Sequence, residues 1–80
     1  MGRHADCVYR NEDDTIRVRI FQRESRRWDF DSFHRDGRYS TFSAEAGDDF
    51  RTKAEAKTLA ESWFGRLASI QVNNMTDGWR

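Results

Sequence analysis

Two periodicities divide the apolar from the polar positions. Between Thr15 and Arg35 the period is two: Ile16, Val18 and Ile20 alternate with Arg17, Arg19 and Phe21, and Trp28 and Phe30 alternate with Asp29, Asp31 and Phe33. Successive side chains of an extended chain point to opposite faces, so each run predicts a half-buried β-strand, with Arg23 to Arg27 as the turn between them. The two apolar faces coincide only if paired residue numbers sum to an even value, as with Ile20 opposite Trp28 or Phe30. Asp36-Gly37 is a hairpin signal, because both residues tolerate positive φ, and a third strand over Arg38 to Ala44 should return from it. A two-residue loop would put Tyr39 and Thr41 on the face of Phe30; a bulged three-residue loop would put Phe42 there.

From Thr52 to Ile70 the spacing becomes helical, with Ala56, Leu59, Ala60, Trp63, Leu67 and Ile70 on one side. Thr52 followed by Glu55 forms a capping box, and only Gly65 argues against one continuous helix. Trp63 is expected in the helix-to-sheet contact, where truncation to alanine would cost roughly 3–5 kcal/mol. The fold class that follows is α+β, a three-stranded antiparallel meander packed on one C-terminal α-helix. A single domain spans 1–80, with 15–71 as its core. Residues 1–14 form a loose arm or a short edge strand near Cys7 to Arg10. Residues 72–80, with turn signals at Asn73-Asn74 and Asp77-Gly78 before Trp79, form a tail or a short returning segment. Asp48 and Asp49 sit near the positive end of the helix dipole.

A chain of 80 residues hides only about 60% of the surface its unfolded form exposes, so its core is small, and three tryptophans, six phenylalanines and two tyrosines must supply it. With 14 basic and 14 acidic residues the net charge is zero, which argues against a general polyanion binder but allows separate patches of either sign. Twelve of the basic residues are arginine, suited to bidentate contact with carboxylates and phosphates; a GC-rich genome would give the same bias. Cys7 has no partner for an intrachain disulfide and is expected to be a spectator thiol. No run approaches the length of a signal segment or a membrane span, which points to a cytoplasmic protein.

Catalytic sets are not found. His4, Cys7 and His34 fall short of the four ligands a structural zinc needs. Asp29 and Asp31 could approach a magnesium ion, but Arg17 and Arg19 oppose them and no glycine-rich phosphate loop exists. Cys7 and His34 lack the spacing of a nucleophile and its base. The expectation is a protein that is not an enzyme and uses no cofactor or metal.

With the helix on one sheet face, the other is expected to be open and to carry Arg17, Arg19, Phe21, Asp29, Asp31, Phe33 and Arg35, with Arg38, Ser40 and, in one of the two registers, Phe42 beside them. Arg17 and Arg19 facing Asp29 and Asp31 read as an ion-paired outer surface, and phenylalanines among arginines are what interface centres are enriched in. The competing reading is that the tails fold across and cover them. If the face is an interface, charge reversal at Arg17 and Arg19 should impair function with little loss of stability.

Two local resemblances bear on function. Phe50, Thr52, Lys53, Glu55 and Ala56, with Trp28, resemble the strand-to-helix opening of the arm-binding domain of phage-type tyrosine integrases, which lays its sheet on DNA. That likeness implies Arg17, Arg19, Arg35 and Arg38 against phosphates and bases. Asp49, Phe50, Thr52, Leu59, Glu61, Ser62, Trp63, Phe64 and Leu67 resemble the strand-to-helix segment of a small anti-CRISPR protein. The second likeness implies an inhibitor, monomeric or dimeric, that docks on an RNA-guided effector complex of host defence and blocks target-DNA recognition. In it Asp13, Asp14, Asp29, Asp31, Asp48 and Asp49 would stand in for phosphates. It is the preferred expectation, and DNA reading by the sheet the alternative.

Overall fold

In a computed structural model of the chain, which describes residues 7–41 and 50–79, a helix packs on an antiparallel sheet. The strands are β1 (Cys7–Arg10), β2 (Ile16–Gln22), β3 (Trp28–His34), β4 (Tyr39–Thr41) and β5 (Ala68–Ile70), and the helix α1 is Lys53–Phe64. Among the described residues the sheet has five strands in the order β4-β3-β2-β1-β5, not the three expected from the alternating runs. The segment near Cys7 does form a strand, but an inner one, flanked by β2 and β5.

The central pairing follows the parity rule: Ile20 stands opposite Phe30, Val18 opposite Ser32 and Arg19 opposite Asp31. Both hairpins next to β3 close with three-residue loops in which the third residue takes positive φ, Arg26 at 73° and Gly37 at 97°. At Asp36-Gly37 this is the bulged alternative. It puts Tyr39 opposite Phe33 on the outer face and Ser40 opposite Ser32 on the helix side. Phe42 lies outside the described residues.

Thr52 caps the helix, its hydroxyl accepting from the Glu55 N–H at 3.2 Å, and the Glu55 carboxylate reaches back to the Arg51 N–H at 3.0 Å. The helix stops at Phe64, short of the expected Ile70. Gly65 takes φ 87°, ψ −170°, and its N–H donates to the Glu61 carbonyl. That conformation is open almost only to glycine and turns the chain out of the helix. Residues 68–70 then extend and pair with β1 at the far edge of the sheet.

The core lies between the helix and β1, β2 and β3. Val18, Ile20, Ala56 and Ala60 are wholly buried, Phe30 and Leu67 nearly so, and Tyr9 closes one side under the Lys57 ammonium, 5.0 Å from its ring. Alanines at 56 and 60 let the helix backbone approach the sheet closely. Trp63, expected in this contact, is instead 53% exposed at the core's rim, with its ring edge-on to Phe30. The alanine face sits lowest, which leaves Leu59 and Trp63 on a flank of α1.

Candidate functional site

The outer face of the sheet is neither open nor purely basic. Three of its arginines, Arg17, Arg19 and Arg23, are matched with carboxylates of the same chain. Arg17 meets Asp14 through both Nε and Nη2 at 3.0 Å, Arg19 meets Asp31 across the β2–β3 pairing, and Arg23 meets Asp29, whereas Arg38 meets Asp36 within the β3–β4 hairpin loop, where both side chains are exposed. Asp29 and Asp31 are almost completely buried beneath these guanidinium groups, and Asp29 also accepts the Phe30 N–H at 2.8 Å. Burying a carboxylate is costly unless a charged donor and further hydrogen bonds satisfy it, so these pairs fix the face structurally. The sequence pairs Arg17 with Asp29 or Asp31; the register instead sets Arg17 opposite Phe33, and its carboxylate comes from the β1–β2 turn.

The phenylalanines of this face are half-buried. Phe21 is flanked by the Arg19 and Arg23 guanidiniums, 5.3 and 5.5 Å from its ring centre, and Phe33 packs edge-on against Tyr39 with centroids 4.7 Å apart. Arg35 is exposed on the hairpin. Asp48 and Asp49 lie outside the described residues.

After β5 the chain reverses, and residues 71–79 cross the outer face. Arg17 Nη1 donates to the carbonyls of Met75, at 3.1 Å, and Asp77; the Trp79 ring stacks 4.4 Å from its guanidinium; and Trp79 Nε1 donates to the Asp14 carbonyl at 2.9 Å. Arg17 is therefore only 5% exposed and Trp79 9%. Because Arg17 is buried under residues 75–79, its charge reversal should cost stability, a larger effect than the mild one expected for an exposed pair. The Arg17 guanidinium holds the Asp14 carboxyl below the usual carboxylate range, and the N–H groups of Asn74 and Asn73 do the same for Asp77. Of these contributors, Asp14 stands three positions before Arg17 in the acidic run, whereas nothing local in the sequence joins Trp79 to a residue so far away.

On the opposite side of the sheet, the flank of α1 forms a shallow groove lined by Phe50, Ala54, Glu55, Thr58, Leu59 and Ser62. Phe50 is tied to β3 by paired backbone bonds with Trp28 at 2.7 and 2.9 Å, and its ring stacks on Phe30. Trp63 stands one turn beyond Leu59, so an aromatic and aliphatic stripe runs along the helix with its indole half in water. Trp63 is the exposed member of this stripe, with Phe50 and Leu59 half-buried beside it, and an exposed tryptophan with apolar neighbours is the kind of patch that marks a contact surface.

Among the described residues no group of three or more His, Cys, Asp or Glu side chains could hold a metal ion. No described helix is long and apolar enough to cross a membrane. Comparison of the chain with protein-family models, curated proteins and solved structures gives no match.

Proposed function

We propose that the chain is a non-enzymatic protein-binding inhibitor, most concretely an anti-CRISPR that docks on a type I RNA-guided effector complex and blocks recognition of target DNA. The observation that carries the choice of a protein over DNA as partner is the internal pairing of Arg17, Arg19 and Arg23 with Asp14, Asp31 and Asp29. A sheet that reads DNA needs those guanidiniums for phosphates and base edges. Here Arg17 is additionally covered, and carboxylates share the same plane. That arrangement weighs against the integrase-like alternative.

The surface suited to a protein partner is the flank around Trp63. Tryptophan is among the residues that dominate binding energy at interface centres, and Leu59 and Phe50 give it an apolar surround. Leu59, Ser62 and Trp63, three residues of the anti-CRISPR resemblance, lie on this flank, which supports the finer reading. The test is calorimetric titration of the protein into a purified type I effector complex. Trp63→Ala should weaken binding by about thirtyfold, the scale of a hot-spot residue. It should lower stability by only about 1–2 kcal/mol, because half of the side chain is already in water. No binding by the unaltered protein would reject the anti-CRISPR reading, and unchanged affinity in the variant would reject the flank.

A further inference from the structure

We infer that residues 71–79 are a displaceable strap, and that the face beneath them receives a turn-forming polypeptide segment of a partner, which presents two main-chain carbonyls and an aromatic ring to Arg17. Among the described residues, the strap's hydrogen bonds to the rest of the chain all run through Arg17 and Asp14. The strap does not add a strand to the sheet. Its remaining bonds are internal, from the Asn73 and Asn74 N–H groups to the Asp77 carboxylate at 2.9 and 3.1 Å, and from the Trp79 N–H to the Thr76 carbonyl. Between this anchored end and β5 the strap stands off the sheet. Open clefts run beneath it, one walled by Val8, Arg19 and Phe33 on the sheet and by residues 72–76 above. Arg19 also keeps a buried Nε–H with no acceptor among the described residues.

The chemistry of the anchor defines what can replace it. Arg17 already has its charge balanced by Asp14, so what it takes from the strap is neutral: the carbonyls of residues 75 and 77 and the ring of residue 79. The strap makes that spacing by turning, with bonds from the Asp77 N–H to the Asn74 carbonyl and from the Trp79 N–H to the Thr76 carbonyl, so a replacement must fold into the same turns to bring a carbonyl, a second carbonyl two residues on and an aromatic side chain two further onto one guanidinium. A nucleic acid would bring phosphates to a guanidinium that is already neutralised. This surface is separate from the Trp63 flank, so its test does not depend on the effector complex.

The probe is a synthetic peptide of residues 71–80, QVNNMTDGWR, titrated into isotope-labelled full-length protein and followed by the backbone amides of Val8 and Phe33 and by the Arg17 Nε–H. In the wild type the tethered strap competes at an effective concentration in the millimolar range. Trp79→Ala, which removes the anchor ring, should therefore bind the peptide at least about tenfold more tightly than the wild type, and a peptide lacking the tryptophan should not bind. Trp79→Phe should restore much of the competition. Equal affinity in wild type and Trp79→Ala, or no saturable shift in either, overturns the proposal. So does a wild-type dimer that dissociates on Trp79→Ala, which would assign the face to a second copy, or displacement of the strap by single-stranded oligonucleotide but not by peptide.

Discussion

Gly65→Ala changes the sign of its effect according to which fold is correct. In a helix continuous from Thr52 to Ile70, replacing an interior glycine by alanine would stabilise the protein by about 1 kcal/mol. Gly65 instead sits at φ 87°, ψ −170°, where an L-residue is strained by about 1–3 kcal/mol. A Cβ built there meets nothing within 4 Å, so packing adds no further penalty and backbone strain alone sets the cost. For a domain of this size that strain corresponds to a fall in Tm of roughly 5–20 °C, against a rise of roughly 4–8 °C for the continuous helix. Thermal unfolding followed by far-ultraviolet circular dichroism reads the difference directly. A raised Tm would refute the break at Gly65, and with it β5 and the path of the strap.

Three further outcomes follow from local geometry. Arg26, an exposed arginine at φ 73°, should be replaceable by glycine with a gain of about 0.5–1 kcal/mol, the relief of left-handed strain less the larger unfolded entropy of glycine; a destabilised Arg26→Gly variant in urea unfolding would contradict the β2–β3 loop. Asp14 and Asp77 have pKa values below the ordinary 3.8, so their stabilising contribution is complete above that value and is lost as pH falls further, through their folded values. The indole N–H resonance of Trp79, bonded to the Asp14 carbonyl, should therefore shift toward its free position below pH 3.8; a resonance that moves between pH 5 and 7 would point to a different group. Trp63→Ala should leave a cooperative unfolding transition with a modest loss of stability, and a loss approaching the roughly 3–5 kcal/mol of a fully buried aromatic would return Trp63 to the core.

The parts of the fold written in short-range pattern were readable from the sequence. The alternation of Ile16, Val18 and Ile20 with arginines, and of Trp28 and Phe30 with aspartates, gave the two central strands and, through parity, the pairing of Ile20 with Phe30. The Thr52–Glu55 pair gave the start of the helix. What the pattern did not give depends on distant partners. Residues 68–70 fit the helical spacing because Leu67 and Ile70 happen to continue it; they become a strand because β1 offers an edge and Gly65 provides the turn. Trp63 falls on the helical apolar stripe, but a helix resting on Ala56 and Ala60 rolls that stripe sideways. The outer face was legible as an ion-paired surface in kind but not in partner choice, since Asp14, Arg23 and Trp79 reach it from two turns and the far end of the chain.

That Arg17, Arg19 and Arg23 are committed to the chain's own carboxylates, and that the partner is therefore a protein, is tested most directly by titrating labelled duplex DNA at two salt concentrations. The expected result is weak binding, with a dissociation constant above roughly 10⁻⁴ M at physiological salt and little change on raising it. Binding tighter than about 1 μM, with log K falling by about 3 per tenfold rise in salt as three or four guanidiniums engaged phosphates, would contradict it.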